Sequence, residues 1–335
     1  MKICVFGAGA VGGLVAAELA SAGHDVSVVA RGAHLDAIRA HGLTLESGGK
    51  AKVAKLRASD RPADLGPQDV VLVTAKAQSM AAVADAIAPL LGPETPVVAA
   101  QNGIPWWFTY KHGGALDGRT LAAVDPGGRI ARTIGLQRAI GCVVSTASTV
   151  TRPGVIAHRG GRSFVLGEPD GSESPRVKRF GEAMAQAGFD APVKTRIRDD
   201  VWTKLWGNIS FSQIALLTGS GLAMLAKNPG TAALARRIME ETQAVGEAAG
   251  ARFGGNIDQR IETTTKIGDH KTSILVDLEA GRPVEIDAQV GAVIEIARVL
   301  SVPVPTIELI YALVRQRAEL AGCYARGAFD PFISS

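Results

Sequence analysis

The chain has 335 residues, 47% of them hydrophobic, 20% charged and only 5% aromatic, and 36 basic against 32 acidic residues leave a formal charge of +4. That length suits two domains rather than one core, and the absence of any Lys/Arg block argues against nucleic acid as a partner. A weak positive field suits an anionic small ligand, although solvated surface charge explains it equally well.

No apolar run reaches the roughly 18 residues that span a bilayer, which argues against a membrane protein. Lys2-Ile3-Cys4-Val5-Phe6 starts the fold at once, without the charged and apolar regions of a signal peptide. Three scattered cysteines, Cys4, Cys142 and Cys323, make neither a disulfide framework nor a zinc cluster. The six histidines show no paired ligand spacing, so no metal is expected. These features fit a reducing cytoplasm.

From Met1 to about Arg196, short apolar runs alternate with helical stretches. Ile3–Phe6, Val26–Ala30, Val70–Thr74, Val97–Ala100 and Ile140–Val144 read as strands buried on both faces, with helices at Val11–Ala22 and Met80–Leu91 between them. This rhythm predicts a doubly wound parallel sheet. Val155–His158 and Ser163–Leu166 are expected to form a late hairpin, followed by a loop over Gly167–Pro175 and a helix over Arg176–Gly188. After Asp199 the pattern is helical: Asp199–Leu217, Thr231–Gly250, Lys271–Glu279, Val284–Leu300 and Pro305–Ala321. The expected architecture is therefore α/β followed by all-α, with residues 1–196 as a Rossmann nucleotide-binding domain and residues 197–335 as a helical catalytic and substrate domain.

Gly7-Ala8-Gly9-Ala10-Val11-Gly12 is a GxGxxG between a predicted strand and a predicted helix. Its glycines permit a tight turn, close approach of a pyrophosphate and close helix–strand packing, and the helix N-terminus offers free N–H groups. At the end of the second strand, NAD enzymes commonly carry an acid for the ribose 2′-hydroxyl. Here Asp25 stands at the wrong end of that strand, and the far end carries Ala30-Arg31, with His34, Arg39 and His41 nearby. Arg31 can pair with a 2′-phosphate, which favours NADP(H) over NAD, against the plainer reading of a solvated loop arginine. Lys76 follows the Val70–Thr74 strand, and Asn102 follows the next one, where Rossmann ligands bind. Asn102 suits a nicotinamide ribose or a substrate, but Asn-Gly is also an ordinary turn.

In the helical region, Lys204 and Asn208 are four residues apart and Ser212 four further, which puts all three on one stripe of a single predicted helix. A lysine directed into a partly dry cleft can act as general acid when a ketone is reduced. A lone lysine on a helix is more often solvated.

The run Lys271-Thr-Ser-Ile-Leu-Val-Asp-Leu-Glu-Ala-Gly-Arg-Pro-Val-Glu285-Ile-Asp287 resembles the signature of the ketopantoate reductases (2-dehydropantoate 2-reductases). The likeness extends to Gly7–Gly12, Arg31, Lys76, Asn102, the Trp-x-Lys-Leu run at Lys204, and Val302-Pro303-Val304-Pro305. It implies NADPH-dependent reduction of ketopantoate to pantoate, toward pantothenate and coenzyme A. It also implies a C-terminal domain like that of the 6-phosphogluconate dehydrogenase superfamily. By the same resemblance Lys204 is the proton donor, Asn208 a substrate-binding amide and Ser273 a ligand of the substrate carboxylate. Glu285 lies near the cofactor and Lys204, Asn102 near the nicotinamide ribose, and Ala147 at a backbone contact to the cofactor. Glu285 also suits the start of a helix after Pro283, where acids are favoured for their charge alone.

The chain departs from the family pattern in three places. Ser212 stands where a second asparagine is usual, Thr218–Leu222 has no equivalent of a further one, and the stretch from Asn102 to Gly141 is longer. That stretch carries Trp106-Trp107-Phe108-Thr109-Tyr110, which suits a pocket wall, core packing or a subunit contact. These differences keep open a reductase of another 2-oxo acid. A non-catalytic NADPH-binding sensor would need none of Lys204, Asn208, Ser273 and Glu285, and an NAD-linked hydroxyacid or phosphogluconate dehydrogenase would need an acid at Arg31. The helical pair over Val284–Ala321 packs either on its own domain or on a second subunit, as in a homodimer.

Overall fold

The computed structural model describes residues 1–325 and 329–332. They divide into two compact units, Met1–Gln101 with Arg129–Ile197, and Asn102–Gly128 with Arg198–Ser335. The second unit thus takes in a segment from the middle of the chain that a single boundary at residue 196 does not anticipate. The reason is local: the Arg198 guanidinium donates to the carbonyls of Phe108 (2.8 Å) and Tyr110 (2.6 Å) and lies over the Trp107 and Phe108 rings. Trp106, Trp107 and Phe108 are buried, and Phe108 meets Trp202 edge-on. Trp106, Trp107 and Phe108 thus pack into the core of this unit, while Tyr110 is half-buried.

The first unit is built on one sheet with β1 (Lys2–Phe6), β2 (Asp25–Val29), β3 (Leu43–Ser47), β4 (Lys50–Ala54), β5 (Arg57–Ser59), β6 (Val70–Val73), β7 (Val97–Ala99), β8 (Ala139–Arg152) and β9 (Val155–Gly167). The spatial order is β4-β3-β9-β8-β7-β6-β1-β2-β5. The run from β5 to β8 is parallel and has the order of a dinucleotide-binding sheet, which reverses direction between β1 and β6. Its strands are short apolar runs buried on both faces, as Val70–Val73 shows. The helices α1 (Ala10–Ser21), α2 (Gly32–His41), α3 (Met80–Ala86), α4 (Arg129–Ile134) and α5 (Pro175–Gln186) flank it. Ser174 caps α5 by accepting from Val177, with Pro175 at the first helical position.

One sequence expectation is corrected here. Val155–His158 and Ser163–Leu166 are not two arms of a hairpin but one strand, β9, paired antiparallel with β8. The turn lies earlier, at Pro153-Gly154, where Gly154 has φ +75°. Gly160 and Gly161 do not fold the chain back; they fall at a register shift opposite Ala147. The β3–β4 hairpin also escapes the apolar pattern, because only one face is buried and its turn is Gly48-Gly49.

The second unit holds α6 (Ile197–Ile209), α7 (Phe211–Thr218), α8 (Leu222–Lys227), α9 (Pro229–Ala248), α10 (Ile257–Lys266), α11 (Ser273–Glu279), α12 (Ala292–Val299) and α13 (Pro305–Leu320), with a π turn over Asp287–Gly291 ahead of α12. The single helix expected over Asp199–Leu217 is two. Ser210 takes φ −97° and ψ −91°, and its hydroxyl donates to the carbonyl of Trp206. Such a bond offers the chain an alternative to the helical ladder, and α6 ends there. No helix among the described residues is long and apolar enough to cross a membrane.

Candidate functional site

In the first unit, the glycine loop lies at the carboxyl ends of β1 and β6, where the strand order reverses. Gly7 has φ +107°, a conformation that side chains resist. A Cβ at Gly12 would stand 2.0 Å from the Gly7 carbonyl oxygen and 2.3 Å from Thr74 Oγ1, so this position admits no side chain. The Thr74 hydroxyl donates to the same Gly7 oxygen at 2.6 Å and ties the loop to the end of β6. Gly9, the N-cap of α1, is different: a Cβ there would meet nothing within 4 Å. Its freedom is not used by the protein, and it leaves space beside the first N–H groups of α1. Ala8, Ala10 and Val11 complete the turn. This cradle fits the pyrophosphate of a dinucleotide on geometric grounds.

Arg31 is the exposed N-cap of α2, just past β2, and Asp25 opens β2 at the opposite end. Lys76 is the N-cap of the short turn after β6, and Ala147 lies exposed at the register shift of β8. Two neighbours have roles that sequence reasoning did not assign. His34 accepts from the Gly154 N–H on Nδ1 (3.0 Å), which leaves the proton on Nε2 to donate to the Ala8 carbonyl (2.7 Å). It therefore clamps the glycine loop, whereas Arg39 turns away to Asp60 and to the Ala58 carbonyl.

In the second unit, Lys204 and Asn208 sit on one side of α6, partly exposed, while Trp202, Leu205, Trp206 and Ile209 are buried behind them. Asp199 and Asp200 in the first turn favour the helix electrostatically. The break at Ser210 places Ser212 on α7, so it does not continue the Lys204–Asn208 stripe. The Asn208 carbonyl, left over at the end of α6, accepts from the Gln213 amide at 2.8 Å. Asn208 Nδ2 is buried and has no acceptor among the described residues. Ser273 is the first, exposed residue of α11, after the N-cap Thr272.

Glu285 lies two residues before the π turn, which ties the site residues of this unit together. A π turn carries one residue more than an α turn and displaces the backbone hydrogen bonds there. The Ala288 carbonyl accepts from the Ile104 N–H at 2.7 Å. Gly103, at φ +88°, makes this approach possible, since a Cβ there would stand 2.3 Å from that oxygen. Asn102 is thereby held beside the turn. Gln289, buried, accepts from the same Gln213 amide (3.1 Å) that caps Asn208. Asp287 accepts from the hydroxyls of Tyr311 and Tyr324, both at 2.8 Å. Burial raises its pKa, and the two hydroxyls offset part of that rise.

The family model described as Ketopantoate reductase PanE/ApbA matches residues 3–171, and its C-terminal counterpart matches residues 196–318. The chain belongs to the ketopantoate reductase family. A 2-dehydropantoate 2-reductase of Mesorhizobium japonicum is 52% identical over 326 residues, covering 97% of this chain and all of that one. Among solved structures, a candidate ketopantoate reductase from Ralstonia solanacearum MolK2 superposes with TM-score 0.92 at 42% identity, over 96% of this chain and 99% of that one. D-mandelate dehydrogenase, solved with NADH and anilino(oxo)acetate, shares the fold, with TM-score 0.82 at 20% identity, over 97% of this chain and all of that one.

Proposed function

We propose that this ketopantoate reductase family member reduces 2-dehydropantoate to pantoate with NADPH, in the cytoplasm, with Lys204 as proton donor. The observation that carries the reading is the Lys204–Asn208 pair on α6, joined through Gln213 and the π turn to Asn102 and to the segment that bears Glu285. A sensor has no use for that set of groups. The full-length likeness to a 2-dehydropantoate 2-reductase supports the substrate.

The glycine loop and α1 hold the pyrophosphate, Arg31 receives the 2′-phosphate, and Lys76, Asn102 and the Ala147 backbone complete the cofactor site. When bound, the reduced nicotinamide supplies a hydride to the carbonyl carbon. The carbonyl oxygen then needs one proton, which Lys204 gives from Nζ; solvent restores it afterwards. Asn208 donates to the substrate oxygens, Ser212 adds a shorter hydroxyl contact, and Ser273 binds at the carboxylate. Glu285, a carboxylate in the same unit, favours the charged form of the lysine. The buried aromatic wall behind α6 keeps water from that side of the lysine.

NADPH oxidation with 2-dehydropantoate tests the reading. The wild-type chain is expected to turn over, and Lys204→Ala to lose roughly 100-fold or more in kcat while still binding NADPH. Tight NADPH binding without turnover would remove the substrate assignment. A panel of 2-oxo acids would then decide between a reductase of another substrate and a sensor. Light scattering tests the homodimer that the C-terminal helices allow.

A further inference from the structure

We propose that His34 is a positioning residue of the cofactor site, which aims the Gly9 N–H at the pyrophosphate by holding the Ala8 carbonyl. The inference rests on the dinucleotide reading above and adds to it a residue of α2, outside the glycine loop.

The backbone of the loop has few donors left for an anion. The N–H groups of Gly7 and Ala8 both turn inward to the Val29 carbonyl, at 3.0 and 3.3 Å. The first one remaining is that of Gly9, the exposed N-cap of α1, and no acceptor among the described residues takes it. The peptide group between Ala8 and Gly9 is trans and planar, so the Gly9 N–H points opposite to the Ala8 carbonyl. Whatever fixes that carbonyl therefore fixes the donor. Glycine leaves this plane free to turn: Gly9 stands at φ −68°, but without a Cβ it adopts positive φ about as readily. Turned over, the same peptide group would present its carbonyl oxygen to the anion, and attraction would become repulsion.

His34 opposes that turn. Its Nδ1 accepts from the Gly154 N–H at 3.0 Å, so the neutral ring carries its proton on Nε2 and donates it to the Ala8 carbonyl at 2.7 Å. Gly154 is itself firmly placed. It is buried, its carbonyl accepts from the Thr44 N–H at 2.9 Å, and a Cβ on it would stand 3.0 Å from that of Ala37, one turn along α2 from His34. The half-buried imidazole is thus gripped at one nitrogen by the β8–β9 turn and holds the glycine loop with the other.

The test separates the two bonds. His34→Gln keeps a donor within reach of Ala8 and gives up the acceptor for Gly154, whereas His34→Asn keeps the acceptor and gives up the donor. In fluorescence titrations His34→Asn is expected to weaken NADPH and NADH alike, by roughly 10-fold, the loss of about one hydrogen bond. His34→Gln should stay within about threefold of wild type for both. At saturating NADPH, kcat should be unchanged in either variant, because His34 touches no reacting atom. The pyrophosphate is common to both cofactors, so an equal loss on the two separates this role from that of Arg31 at the 2′-phosphate. A merely structural histidine would lose melting temperature and cofactor affinity together in both variants, and that result overturns the proposal. Unchanged affinity in His34→Asn overturns it as well, as does a loss confined to NADPH. If the wild type binds neither cofactor, the dinucleotide reading fails before any variant is made, and the proposal falls with it.

Discussion

Single residues in the first unit divide into those that shape the cofactor cradle and those that select its ligand. Gly12 is a shape residue, because its missing Cβ is occupied by the Gly7 carbonyl and the Thr74 hydroxyl. Arg31 is the proposed selection residue, an exposed side chain just past β2 that makes no side-chain cap bond to α2. Arg31→Ala is therefore expected to raise KM for NADPH by roughly 10- to 100-fold and to leave KM for NADH nearly unchanged. Parallel initial-rate measurements with both cofactors check this, and an equal effect on the two would assign the 2′-phosphate to another group. Both positions stand out in the sequence, since a glycine spacing and a charge at a strand end need no tertiary knowledge. His34 does not, because its partners Ala8 and Gly154 are 26 and 120 residues away.

Elements decide how the second unit's groups come together. The break at Ser210 and the π turn at Asp287–Gly291 are both departures from regular helix, and Gln213 bridges them by donating to Asn208 and Gln289. Both amides are buried, so removing one strands the other; replacing both with leucine leaves the Asn208 carbonyl as the one partner that loses its donor, a cost of about 1–3 kcal/mol. The double variant Gln213→Leu/Gln289→Leu is expected to melt within a few degrees of wild type yet lose about 10-fold or more in kcat, with KM for NADPH unchanged. Unchanged kcat in a folded double variant would make the bridge purely structural. The apolar period correctly read the helical character of residues 199–217 and 284–300. It could not locate the breaks, because a serine hydroxyl turning onto its own backbone and a one-residue insertion leave the period nearly intact.

At the scale of the molecule, a few long-range ion pairs join elements that chain order separates. Glu18 on α1 is nearly buried and bonds Lys52 on β4 and Arg162 on β9, the latter at 2.6 Å. Burial alone would raise its pKa, but the two cations outweigh burial and hold it below its usual value. A depressed carboxylate stabilises the fold above its unfolded pKa, near 4.5, and that stability is lost as pH falls through the lower folded value. Glu18→Gln should thus lower the melting temperature by about 2–5 °C at pH 7. The difference should shrink as pH falls below 4.5 through the depressed folded value, where the wild type itself becomes protonated. Melting curves across pH check it, and a pH-independent difference would contradict the ion-pair account.

What the sequence by itself determined is the part encoded in local pattern. Buried strands of four or five apolar residues, helices of 3.6-residue period and the glycine turn between the first strand and helix each follow from neighbours along the chain. So did the candidate positions Lys204, Asn208 and Glu285, through the resemblance their flanking runs carry. Only the tertiary structure decided that Asn102–Gly128 joins the helical unit, that Ser212 leaves the Lys204 stripe, and that His34 joins Ala8 to Gly154. The first and third depend on contacts between residues dozens to nearly 200 positions apart, such as Ile104 with Ala288 and Arg198 with Phe108, and the second on a serine hydroxyl that turns onto its own backbone. Sequence periodicity reports which face of an element is apolar; which element that face meets is settled by packing, close approach and the pairing of buried polar groups.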